Sequence, residues 1–131
     1  MSNWSHVAGT VRVDNIEFLN GNLNFSNIFG KECLWDSDKL TWDDAANNPD
    51  KYLPMGSEGS LQLSIWENPD KECSASYTVS IFGDLRDHHN PQEIIDWFRN
   101  KIKDLWVRQA VITVDNEWNG TLTWVYDVRD N

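Results

Sequence analysis

The densest chemistry in the chain lies in Asp84-Leu85-Arg86-Asp87-His88-His89. Carboxylates beside imidazoles could hold a divalent metal and activate its water for hydrolysis. Against this, adjacent histidines on a strand point to opposite faces. No HxH or HxxxH spacing occurs, and His6, the third imidazole, is remote in sequence. The competing reading is a solvated loop between a hairpin and the helix that follows.

A second candidate is an acidic segment near residues 31–60, in which Trp35 and Trp42 stand among Asp36, Asp38, Asp43 and Asp44. Aromatic anchors ringed by charge suit a protein contact surface. Spaced carboxylates can also imitate a phosphate backbone. The competing reading is a crossover whose Trp residues complete the core. A third candidate is the open face of a sheet, where Trp66, Phe82 and Trp124 could stack bases. The chain is poor in the cations that RNA binding also needs. A fourth is a set of guanidinium groups, Arg12, Arg86, Arg99 and Arg108. Converging with an aromatic ring, two or three of them would make a pocket for a nucleotide signal. Left scattered, they are ordinary surface ion pairs.

Other chemistry is excluded by pattern. The sequence has no GxxxxGK[ST] phosphate loop, no GxGxxG, no GxSxG and no HExxH. The two cysteines, Cys33 and Cys73, form no CxxC pair and are expected as reduced thiols. No cofactor is expected.

These groups must be positioned by elements that the pattern predicts. Residues 4–13 alternate as a first strand, with Gly9 as a candidate bulge. Leu23, Phe25, Ile28 and Phe29 suggest a short helix stopped by Gly30. Residues 61–66 and 76–83 alternate around Glu67-Asn68-Pro69-Asp70-Lys71, which predicts an antiparallel hairpin. Asn90 as N-cap, Pro91 at the first position and Glu93 behind them open a helix over 91–105. Its apolar stripe is Ile94, Ile95, Phe98, Ile102 and Leu105. A last hairpin, 108–116 with 121–127, is expected to reverse at Asn119-Gly120, with Val114 facing Val125. Without the acidic insertion and the last strand, the order is β-α-β-β-α-β. The expected class is α+β, a ferredoxin-like antiparallel sheet with helices on one face and an extra C-terminal hairpin strand.

Composition bounds the rest. A chain of 131 residues is expected to form a single domain, 1–131, with a full core. Eight Trp, several times the usual share, supply large aromatic anchors. The net charge of −10, from 21 acidic and 11 basic residues, disfavours nucleic acid and anionic membranes as partners. The start lacks the basic and apolar regions of a signal peptide, and no apolar run is long enough to span a bilayer. A cytoplasmic protein is expected.

Met1-Ser2-Asn3-Trp4-Ser5-His6 resembles the opening of small bacteriophage proteins that begin Met-x-Asn-Trp-Cys/Ser, some grouped as ferredoxin-like. Ser5 stands where Cys is common. Met55 to Trp66 and Tyr77 to Asp87 are also similar to proteins of tailed phages and prophages. The resemblance implies a ferredoxin-like phage accessory protein and carries over no catalytic residue. The leading expectation is a non-enzymatic inhibitor that captures a host or bacterial-defence protein through Trp35, Asp36, Asp38, Trp42, Asp43 and Asp44. Two alternatives stay open: a binder that sequesters a nucleotide signal, and a metal-dependent hydrolase using Asp84, Asp87, His88 and His89. A homo-oligomer is compatible with each.

Overall fold

A computed structural model describes residues 2–14, 24–32, 51–69, 76–88 and 90–130. The elements are β1 (Trp4–Asp14), α1 (Phe25–Phe29), β2 (Gln62–Glu67), β3 (Ser76–Arg86), α2 (Pro91–Ile102), β4 (Val107–Asn116) and β5 (Gly120–Asp127), then a 3₁₀ turn (Val128–Asp130). The strands form one antiparallel sheet in the order β2-β3-β1-β4-β5. Both helices pack on one face of it. The chain is therefore α+β, as the pattern implied. Among the described residues no helix is long and apolar enough to cross a membrane.

Alternation decides which side chains meet. On β1, Ser5, Val7, Val11 and Val13 are buried, while His6, Ala8, Thr10 and Arg12 face out. Val79, Ile81 and Leu85 from β3 and Ala110, Ile112 and Val114 from β4 complete the core face. The helices close over this face with Phe25 and Phe29 from α1 and Ile94, Ile95, Phe98 and Ile102 from α2. Rings lock the layers together. Phe25 meets Tyr77 edge-on at 5.2 Å, and Phe98 meets Trp124 edge-on at 6.1 Å. The expected aromatic platform is thereby divided, because Trp124 belongs to the core face whereas Trp66 lies on the open one.

The start of α2 follows from its sequence. The Asn90 side chain accepts from the Gln92 N–H at 3.1 Å, and Pro91 needs no donor partner at the first position. The helix ends at Ile102 rather than 105. The Leu105 N–H bonds back to the Ile102 carbonyl and the Val107 N–H to that of Leu105, turning the chain into β4.

Two local expectations are corrected. Gly9 is no bulge: it pairs in register with Ile81 and Ile112, and the register shift falls at Arg12/Val13. A Cβ at Gly9 would lie 3.0 Å from the Val111 carbonyl, so glycine permits a close approach of β4. The last hairpin also reverses differently. Val111, not Val114, pairs with Val125, and Asn116 pairs with Gly120, leaving Glu117, Trp118 and Asn119 in the turn. The Asn116 side chain accepts from the Trp118 and Asn119 N–H groups, and Gly120 takes φ +88°. A longer loop with a left-handed glycine thus replaces the two-residue turn.

Candidate functional site

The predicted acidic surface, Trp35, Asp36, Asp38, Trp42, Asp43 and Asp44, lies outside the described residues, as does His89. The other candidate groups fall at opposite ends of the sheet.

At one end β1 begins and β3 and β4 finish. Asp84 and Arg86 belong to β3 itself, where a loop was expected, because Leu85 between them fills the core at 0% exposure. His6 on β1 lies beside Asp84, with Nδ1 2.7 Å from Oδ1, and its Nε2 is 3.9 Å from Glu117. The hydrogen bond to Asp84 raises the His6 pKa above its ordinary value; the nearby charges of Asp84, Glu117 and Asp115 add to this and partial burial opposes it. Arg86 pairs with Glu58 at 2.7 Å, so it does not join the other arginines.

Beneath them is a buried polar knot. Ser5 Oγ donates to the His88 carbonyl at 2.6 Å, and Asn116 Nδ2 donates to Ser5 Oγ at 2.9 Å and to the same carbonyl at 3.2 Å. The Asp87 N–H donates to the Asn3 carbonyl at 2.6 Å, and Ser57 Oγ donates to Asp87. His88 Nε2 is 3.8 Å from Glu93. Among the described residues no three His, Cys, Asp or Glu side chains are grouped as metal ligands would be. The hydrogen bonds here join β1, β3, β4 and the loop before α2.

The other end holds a groove of about 810 Å³, where β1 finishes, α2 ends, β4 starts and β5 runs out. Its position follows from the strand order, which sets Arg12 beside Gln109 and Gln109 beside Asp127. Arg99 and Lys103, one helical turn apart, enter it from the end of α2. Arg12 comes from β1, Arg108 from β4 and Arg129 from the terminal turn. Five of the chain's 11 cations therefore line one groove, against two carboxylates, Asp14 and Asp127.

Partners distinguish these cations. Arg108 Nε bonds Asp14 at 2.6 Å, and Arg129 grips Asp127 with Nε and Nη2, the latter at 2.6 Å. The Arg129 side chain and backbone N–H, with Gln109, hold the Asp127 carboxyl well below the usual carboxylate range. Arg12 donates to the neutral Gln109 amide at 3.2 Å. Arg99 lies over the Trp124 ring, 5.3 Å from its centroid. Among the described residues no carboxylate pairs with Arg12, Arg99 or Lys103. Three aromatic rings line the same groove. Trp124 and Tyr126 lie nearly parallel, 6.3 Å apart, and Trp106 is 54% exposed.

Three of the four arginines singled out by sequence are thus brought together. Lys103, Trp106 and Arg129 were not singled out. Their proximity to helix and strand ends was readable, but the adjacency of those ends was not. His6 was likewise set aside, because 78 residues separate it from Asp84.

Comparison with known protein families, with curated proteins and with solved structures gives no match to this chain.

Proposed function

We propose that this chain is a non-enzymatic binding protein that takes an anionic, ring-bearing small molecule of the nucleotide class in the groove at the end of β5. The observation that carries this reading is the surplus of three cations beside three aromatic rings, in a chain of net charge −10. Arg99 and Lys103, on the helix side of the groove, are the groups for phosphate oxygens, and Arg12 adds charge from the rim, on the open face of the sheet. Each charge pair at about 4 Å is worth up to about 4 kcal/mol before desolvation. Trp106 and Tyr126 offer faces for a base. A volume of about 810 Å³ falls within the range of organic-ligand sites. The role proposed for these groups is capture.

The fold reading that accompanies this is ferredoxin-like. Its support is the β-α-β-β-α-β order and the β2-β3-β1-β4 arrangement, with β5 added beside β4. The resemblance of Met1 to His6 and of Tyr77 to Asp87 to phage proteins supports a setting in infection, where sequestering a bacterial nucleotide signal would blunt defence. The competing proposal is capture of a host or defence protein through Trp35, Asp36, Asp38, Trp42, Asp43 and Asp44. It predicts that reversing the four carboxylates to Lys abolishes capture of a protein from host lysate.

The nucleotide reading is tested by thermal unfolding against a panel of nucleoside mono- and triphosphates, cyclic mononucleotides and cyclic dinucleotides. At a concentration about 100 times Kd, a true ligand adds about 2.7 kcal/mol. For a chain of this length that raises Tm by about 10 °C. A flat response across the panel would remove the proposal.

A further inference from the structure

The sheet face away from the helices carries a second pattern. Its outward residues fall into four rows across the strands. One end row is Asp84, His6, Asp115 and Thr121. The next is Gln62, Phe82, Ala8, Thr113 and Thr123, followed by Ser64, Ser80, Thr10, Val111 and Val125. The last is Trp66, Thr78, Arg12, Gln109 and Asp127. The ten residues of the two middle rows include no charge, although 24% of the chain is charged and this face is open. Phe82 and Val125 are 40% and 66% exposed. Beside Phe82 lies a shallow depression of about 350 Å³, floored by Ala8, Gly9, Thr10 and Ser80.

We infer that this face is a two-fold interface with a second copy of the chain. A dimer axis lying between the two sheets, across the strands, sets β1 over β1 with direction reversed. The second row of one copy then covers the third row of the other. Phe82 comes over the partner's Ser80, whose depression receives it, and the exchange is reciprocal, as an isologous contact requires. Val111 comes over the partner's Thr113 and Ala8 over its Thr10, so large residues meet small ones and two layers can close at about 10 Å.

The charges obey the same operation. The first row meets the fourth, which carries Arg12 over the partner's His6, between Asp84 and Asp115. The alternative axis, parallel to the strands along β1, would stack Asp84 of each copy on the partner's Asp115. It is excluded by like-charge repulsion. A molecule of net charge −10 repels itself over most of its surface. The uncharged rows allow approach and the end rows set direction.

Sedimentation velocity of the full chain across a concentration series tests this. The expected result is a species at twice the 15.2 kDa chain mass, growing with concentration. Phe82→Glu should abolish it while the circular dichroism spectrum stays unchanged. The decisive arm is a mixture. Arg12→Glu alone and Asp84→Lys/Asp115→Lys alone should each be monomeric, and mixing them should restore the dimer, because both end contacts are then complementary. A single mass of 15.2 kDa up to about 1 mM, dimers that survive Phe82→Glu, or a mixture that stays monomeric would each overturn the inference. Phe82, Asp84 and Asp115 lie outside the ligand groove; Arg12 lines it, and the readout of its variant is mass alone.

Discussion

Replacing Asn116 by Ala tests the reasoning about the knot that ties the sheet end. The residue is 1% exposed and its amide makes four hydrogen bonds. Oδ1 accepts from the Trp118 and Asn119 N–H groups, which sit in an open turn and can turn to water, so about 0.5 kcal/mol each is at stake. Nδ2 serves Ser5 Oγ and the His88 carbonyl inside the protein, where losing a donor costs about 1 kcal/mol each. Together these come to about 3 kcal/mol, before any share from the void that the amide leaves. Near the midpoint, unfolding entropy is about 2.1 cal/mol/K per residue, so Tm should fall by about 10 °C. Urea unfolding followed by tryptophan fluorescence checks the free energy, and calorimetry checks Tm. A loss below about 1 kcal/mol would refute the argument, since it would mean that the turn and Ser5 do not depend on this amide.

Substitutions at two glycines should separate backbone strain from crowding. Gly120→Ala meets no atom within 4 Å, so only its φ of +88° is strained, at about 1 kcal/mol by chemical denaturation. Gly9→Ala places a methyl 3.0 Å from the Val111 carbonyl, and should cost about 2 kcal/mol because the strand cannot yield. His6 should titrate by NMR above its ordinary value of 6.5, and Asp84→Asn should bring it back toward 6.5. Because its folded pKa is raised, the stability it contributes is fully present below about 6.5. That contribution is lost as pH rises through the folded value, and Asp84→Asn should flatten this dependence.

Sequence pattern located the elements where local physics decides them. Asn90, Pro91 and the Ile94-to-Ile102 stripe specify α2 without help from the rest of the chain. The alternation of Val7, Val11 and Val13 does the same for β1. The Asn119-Gly120 reversal misled because a two-residue turn is a local preference of modest size. Against it stands Asn116, whose amide reaches Ser5 across 111 residues. Tertiary hydrogen bonds therefore fixed the register by three positions. Gly9 misled for a related reason, since a strand glycine can mark a bulge or a close neighbour and only the neighbour distinguishes them.

The groove was half legible for the same reason. Arg12, Arg99 and Arg108 stood out by type, and their convergence depended on β4 lying next to β1. Arg86 looked equivalent in sequence, yet β3 carries it to the opposite end, where Glu58 takes its charge. Lys103 gave no separate signal, because a cation near the end of a helix is already expected from the helix dipole.

An equilibrium titration decides whether Arg99 and Lys103 form an anion site beside stacking rings. Labelled nucleotides from the same panel would be titrated into the wild-type chain and into Arg99→Glu/Lys103→Glu. The expected result is saturable one-site binding of at least one nucleotide class, weakened at least a hundredfold by the double reversal, because each charged contact is worth about 1.5–3 kcal/mol. Equal affinity for the two proteins would contradict the account.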